Sequence, residues 1–262
     1  MSSHSEKVLD SLLFLDEAFE YSPYKDTIKY LLLMVSPTST YKDFLDFIHE
    51  IMDISLMRMQ ENSMHYQSNT EPALTEILIK DFVAFNGAIS ARAEGSQNGH
   101  CDICIEAPLK KWQWLGEAKI HGNYDYLQKG LDQLVKRYSI GDENHDHGGM
   151  IIFIFNTDAS SVITSWRDAV VLREDSPSII DCTTRPALSF ITKHPAHRTS
   201  GLPYYVKHIG IMLHYQPHDD ANKGINSKKV DSTVKNTVED KNIASCAIDV
   251  NQAVESAIPV IG

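Results

Sequence analysis

Cys101-Asp-Ile-Cys-Ile-Glu106, the turn Ala107-Pro-Leu-Lys-Lys111 and Trp112-Gln-Trp-Leu-Gly-Glu-Ala-Lys-Ile120 make up the stretch on which the reading of this chain depends. Two short runs rich in isoleucine and tryptophan, separated by a turn that contains Pro108, predict a β-hairpin. Side chains alternate between the faces of a strand, so Glu117 and Lys119 point one way and Ala118 the other. Antiparallel pairing of the two arms can bring Asp102 beside Glu117 on that face. Two carboxylates that close repel unless a cation or a proton lies between them. A hard divalent ion such as Mg2+, or Mn2+ in its place, suits this oxygen chemistry. Lys119 beside it would orient or help deprotonate a metal-bound water and offset charge on a phosphate transition state.

The flanking segments alternate in texture. Thr70 can cap a helix that begins near Glu71 and Pro72, since proline is tolerated in the first turn, and Leu74, Ile77, Leu78 and Phe82 form its buried stripe. Gly87 breaks that pattern, and a short extended segment covers 88–94. A helical period returns from Tyr124 to Tyr138 through Leu127, Leu131, Leu134 and Val135. The nearly unbroken apolar run from Met150 to Phe155 predicts a strand covered on both faces. A helix is expected over 162–172 and further strands over 188–193 and 204–215.

This order of elements and side chains resembles the PD-(D/E)XK nuclease superfamily, whose members share a restriction-endonuclease-like fold. The matching residues are Glu71-Pro-Ala-Leu-Thr-Glu-Ile-Leu in the first helix, Gly99-His-Cys-Asp102-Ile in the second strand and Leu115-Gly-Glu117-Ala-Lys119-Ile in the third. Gln133, within Leu131-Asp-Gln133-Leu-Val-Lys-Arg-Tyr138, matches the Gln and Tyr often found after that motif. The likeness covers roughly residues 70–156. It implies an α/β core, a mixed central sheet flanked by helices, with catalytic roles at Glu71, Asp102, Glu117, Lys119 and Gln133. Asp102, Glu117 and the backbone carbonyl of Ala118 would bind Mg2+, and Lys119 would position the attacking water. Glu71 would support the metal or its water shell. Glu76 is its rival, but five residues turn it about 140° around the helix, so the two do not easily serve one site. Two departures stand out: His100 and Cys101 precede Asp102 where many members carry proline, and Ala118 replaces the commoner valine.

The chain of 262 residues has ordinary globular composition, 42% hydrophobic and 23% charged, which excludes disorder throughout and collagen-like repeats. Its longest apolar runs, Ile28 to Val35 and Met150 to Phe155, fall short of the roughly 20 residues a membrane helix needs. The start MSSHSEKVLD lacks the basic and apolar regions of a secretory signal, so the cytoplasm is expected. Four cysteines do not suggest a disulfide framework. A net charge of −11 argues against bulk attraction to nucleic acid, and the excess acid concentrates in residues 1–66, with 5 basic against 11 acidic side chains. Leu9, Leu12, Leu13, Leu15 and Phe19, then Ile28, Leu31, Leu32 and Val35, then Phe44, Phe47, Ile48, Ile51 and Met52 predict helices there.

Three regions follow from this: an acidic helical region, 1–66, for oligomerisation or binding a regulatory protein; a nuclease-like domain, 67–216; and a mostly flexible tail, 217–262, whose end (Ala244 to Ile258) can be a short docking segment. The expected function is a magnesium-dependent nuclease acting on DNA more than RNA, held in check by a partner as in an antiviral defence effector. The alternative is a noncatalytic binding or scaffold protein on the same fold.

Other signals have plainer explanations. Cys101 and Cys104 form a C-x-x-C, yet positions i and i+3 of a strand face opposite sides, which speaks against a zinc site. Asp142-Glu-Asn-His-Asp-His147 suits a solvated loop, and Trp112 and Trp114 suit core packing better than base stacking. Lys110, Lys111, Lys136 and Arg137 can meet phosphates, although charged turns and helix faces are usually just solvated.

Overall fold

A computed structural model describes residues 36–85, 89–96 and 100–216. Helix α1 (Tyr41–Glu61) opens with a capping box: the Asp43 amide donates to Thr40 Oγ1, and Asp43 Oδ2 accepts from the Thr40 amide at 2.8 Å. Helix α2 (Glu71–Ile79) carries Pro72 in its first turn and continues as a 3-10 segment through Lys80–Phe85. Thr70 stands at its N-cap, but the threonine hydroxyl makes no capping hydrogen bond, contrary to expectation.

Strands β1 (Ser90–Ser96), β2 (His100–Ala107) and β3 (Trp112–Ile120) form an antiparallel meander. The expected hairpin is β2–β3, with Ile103 opposite Gly116 and Ala107 opposite Trp112. Helix α3 (Tyr124–Gln133), capped by the Asn123 side chain, runs into a π-helical turn, Leu134–Tyr138, and leads to β4 (His147–Ile154), parallel to β3. Helix α4 (Ala159–Val171) follows, then β5 (Ser178–Asp181), β6 (Ser189–His194) and β7 (Tyr204–Met212). The sheet order is β1-β2-β3-β4-β7-β6-β5, parallel at β3–β4 and β4–β7 and antiparallel elsewhere. The fold is therefore α/β, a seven-stranded mixed sheet flanked by helices. The sequence reading missed β5, a four-residue edge strand too short to show a pattern.

Two buried clusters sandwich the sheet. Ile151 and Phe153 of β4 join Trp114 and Ala118 of β3 under α1 and α2, whereas Met150, Ile152 and Ile154 join Leu115 with α3 and α4. This alternation explains why β4 is apolar on both faces. The Trp114 ring lies across the paired Gly116 and Gly149; a Cβ on Gly149 would fall 2.3 Å from its Cζ2. Trp112 and Trp114 are thus core residues, as the sequence suggested.

Helix α1 supplies Phe44, Phe47, Ile48, Met52, Leu56 and Met59 to the same cluster as Ile103, Ile151 and Ile209. From Tyr41 onward, the region assigned to partner binding therefore packs on the sheet of its own chain. The helices expected within 6–35 and the tail 217–262 lie outside the described residues. Among the described residues, no helix is long and apolar enough to cross a membrane.

Candidate active site

Because β3 alternates, Glu117 and Lys119 share the Leu115 face, beneath α3. Asp102 arrives from the neighbouring strand just beyond the last β2–β3 pair, Ile103–Gly116. Its Oδ2 accepts the Ala118 amide hydrogen at 2.9 Å, the place where a continuing ladder would use a main-chain carbonyl. Glu71, in the first turn of α2, reaches the end of β3: its Oε2 accepts from the Ile120 amide at 2.8 Å.

These three carboxylates converge on one ammonium. Lys119 Nζ lies 2.7 Å from Glu117 Oε1, 3.0 Å from Asp102 Oδ2 and 3.1 Å from Glu71 Oε1, and it donates to the Ala118 carbonyl at 2.9 Å. Four oxygens thus surround a group with three hydrogens. Glu117 and Lys119 are 1% and 6% exposed, while Glu71 and Asp102 open onto solvent. Burial raises the Glu117 pKa, and the neighbouring Asp102 adds to the rise against the pull of Lys119. For Lys119 burial acts downward, but Glu117 and Asp102 outweigh it and hold the ammonium charged. Glu117 Oε2 is buried without a hydrogen-bond partner.

Two residues that sequence reasoning missed complete the arrangement. The Tyr126 hydroxyl donates to Glu71 at 3.1 Å, and its ring lies 5.7 Å from Lys119 Nζ. Gly130, one helical turn further along α3, faces the lysine stem; a Cβ there would stand 3.0 Å from Lys119 Cγ and 3.2 Å from Cε. The four-residue spacing of Tyr126 and Gly130 on the predicted helix was the available signal, since it puts both on one face.

Gln133 sits at the end of α3 and donates to the Tyr138 hydroxyl at 3.2 Å, rather than to the Lys119 cluster. The Tyr138 hydroxyl pKa is raised by burial and then by the charge of Glu117. Glu76 is exposed, yet it borders the same small cleft as Glu71, Pro72, Thr75, Ala93 and Asp102. Glu71–Thr75 and Pro72–Glu76 are adjacent four-residue rows of α2, so the angular separation does not exclude Glu76 from the cleft wall. The carboxylate bonded to Lys119 is nevertheless that of Glu71.

Cys101 and Cys104 need a correction. They share one cluster rather than facing opposite sides, because regular alternation fails at Asp102, where the side chain takes over the pairing with β3. The Cys104 thiol is raised in pKa by its hydrogen bond with Cys101 and by burial, which opposes a metal-binding thiolate. Lys110 donates to the Ser36 carbonyl and lies over Trp112, and Lys136 pairs with Asp132. Arg137 is exposed and stacks on Tyr138.

Among the described residues, no three His, Cys, Asp or Glu side chains form a ready metal-binding group. The donor chemistry of Asp102, Glu117 and the Ala118 carbonyl nonetheless suits a hard divalent ion, and the orphaned Glu117 Oε2 is an oxygen that a cation or a proton would satisfy. No family model, curated protein or solved structure matches this chain.

Proposed function

We propose that this chain is a magnesium-dependent nuclease that hydrolyses phosphodiester bonds in nucleic acid on a restriction-endonuclease-like core. The observation that carries the reading is the convergence of Glu71, Asp102 and Glu117 on Lys119 from three separate elements. Asp102, Glu117 and the Ala118 carbonyl would hold Mg2+, or Mn2+ in its place. Bound there, the ion supplies Lewis-acid polarisation of a phosphate and a more acidic water. Lys119 holds the attacking water and offsets negative charge on the phosphate oxygens. Glu71 and Tyr126 fix the position of that ammonium, and Gln133 acts through Tyr138. Arg137 is available to a phosphate next to the site. DNA ranks ahead of RNA on the resemblance alone, and control by a protein partner, as in an antiviral defence effector, belongs to the same proposal.

One observation favours the noncatalytic scaffold as a second reading: an ammonium saturated by four oxygens is also what a purely structural ion cluster would contain. Incubation of the purified chain with single-stranded and duplex DNA and RNA, in Mg2+, in Mn2+ and in chelator, separates the two. The nuclease reading expects metal-dependent cleavage that Asp102→Asn and Lys119→Met abolish. Failure to cleave any of the four substrates, together with failure to bind Mn2+, establishes the scaffold.

A further inference from the structure

Three of the four oxygens around Lys119 Nζ belong to the groups assigned above to the metal: Glu117 through Oε1, Asp102 through Oδ2 and the Ala118 carbonyl. We infer that Lys119 is a built-in counter-cation that occupies the ligand oxygens until a divalent ion displaces it, so that ammonium and metal compete for the same atoms. This inference rests on the metal-dependent reading. Its physical basis is charge. An ammonium 2.7–3.0 Å from those oxygens and a divalent ion on the same oxygens would be like charges a few ångströms apart. Glu117 is 1% exposed, so water screens little of that repulsion.

The fourth oxygen gives the displaced ammonium somewhere to remain. Glu71 Oε1 belongs to no assigned metal ligand, and the Glu71 carboxylate is tied independently to the Ile120 amide and the Tyr126 hydroxyl. Giving up three acceptors while keeping Glu71 leaves Lys119 with hydrogens free for a water. Loading the metal and arming the lysine then become one event. The same geometry makes Lys119 an opponent of metal affinity as well as a participant in turnover. A lysine that merely stood beside the metal would oppose affinity by repulsion alone, and its ammonium would keep the same hydrogen bonds when the metal loads.

Binding of Mn2+ alone, followed by the electron paramagnetic resonance signal of the free ion, tests this on the full chain and on Lys119→Met. The variant is expected to bind Mn2+ about tenfold more tightly or better, as removal of a nearby like charge requires. Binding by the variant with none by the wild type also supports competition. Equal or weaker binding by the variant overturns this inference and leaves the metal site standing; absence of saturable binding in both overturns the metal reading with it. Displacement from the oxygens, as against repulsion alone, is decided on the wild-type chain, whether or not Lys119→Met folds, by nitrogen-15 resonance of its lysine ammonium groups. Mg2+ saturation is expected to shift the Lys119 Nζ signal and speed exchange of its hydrogens, and an unchanged signal at saturation overturns the competition.

Discussion

His208 makes acid stability a quantitative test of the packing between α4 and the sheet. It is fully buried, accepts a hydrogen bond from Trp166 Nε1 on Nδ1 at 3.0 Å, and shares a 2.9 Å hydrogen bond between Nε2 and Thr192 Oγ1. An Nδ1 that accepts leaves the proton on Nε2, so the ring is neutral and a second proton would face the indole N–H. Phe190 stacks on the ring at 4.4 Å, and His194 meets the same Thr192 hydroxyl. Burial first, then the charges of His194 and Arg173, hold the His208 pKa well below that of an ordinary histidine. The unfolded chain takes up a proton near pH 6.5 and the folded chain does not, so stability is present above that pH and lost as pH falls below it. Between pH 7 and pH 5 the loss from this one group is about 1.9 kcal/mol, and the slope approaches about 1.4 kcal/mol per pH unit. Asp175, lowered to about 2 chiefly by its hydrogen bond to His194 acting against burial, loses its contribution only below about pH 4 and stays outside this window. The perturbation is His208→Gln, read by urea unfolding at pH 7, 6 and 5. The variant starts about 1–3 kcal/mol less stable, because the Trp166 N–H loses its acceptor. Its curve against pH is flatter than wild type by about that amount, and the histidines other than His194, which meets the same Thr192 hydroxyl, cancel in the comparison. Parallel curves would refute a neutral buried His208.

Further outcomes follow from the site and the core. Asp102→Ala abolishes metal-dependent cleavage and lowers stability by about 1–2 kcal/mol, since the Ala118 amide loses its acceptor; denaturant unfolding in chelator checks this, and a stabilised variant counts against the observed geometry. Gly130→Ala gains about 1 kcal/mol of helix propensity but costs about 1–3 kcal/mol in packing against Lys119. Its stability therefore stays within about 2 kcal/mol of wild type while cleavage falls at least tenfold, and wild-type turnover would exclude a positioning role. A chain beginning at Ser68 lacks the α1 residues Phe44, Phe47, Ile48, Met52, Leu56 and Met59, so it does not fold; a cooperative melting transition by circular dichroism would contradict that.

The hairpin and its site were readable because local rules govern them. Alternation puts Glu117 and Lys119 together on β3, and Pro108 marks the turn that returns Asp102 to them. The position of α1 was less readable. Its stripe of Phe44, Phe47, Ile48, Ile51 and Met52 declares a buried face, but periodicity does not say whether the covering surface is a partner or the chain's own sheet. The two cysteines misled for a related reason. Strand parity assumes a continuous ladder, and at Asp102 a carboxylate takes the hydrogen bond a carbonyl would normally take. The same side chain that marks the site therefore defeats the rule used to place its neighbours. Gly130 is the remaining case: a glycine inside a helix reads as a weakness until the partner that approaches it is known, and Lys119 lies eleven positions earlier, on another element.

Charge bears on the order in which this site can work. Glu71, Asp102 and Glu117 share one buried ammonium, so a phosphate approaching the cleft meets an excess of carboxylate. At an effective dielectric constant near 20, each unscreened carboxylate–phosphate pair at about 4 Å costs on the order of 4 kcal/mol. Lys119 offsets about one such pair and is already committed to four oxygens. Lys136 is paired with Asp132, which leaves the exposed Arg137 as the basic group that can lower this cost. A divalent ion on Asp102 and Glu117 reverses the sign locally and frees Lys119 at the same time. On the nuclease reading the cation must therefore arrive before or together with the phosphate, and the acidity of the site becomes a gate against unproductive binding.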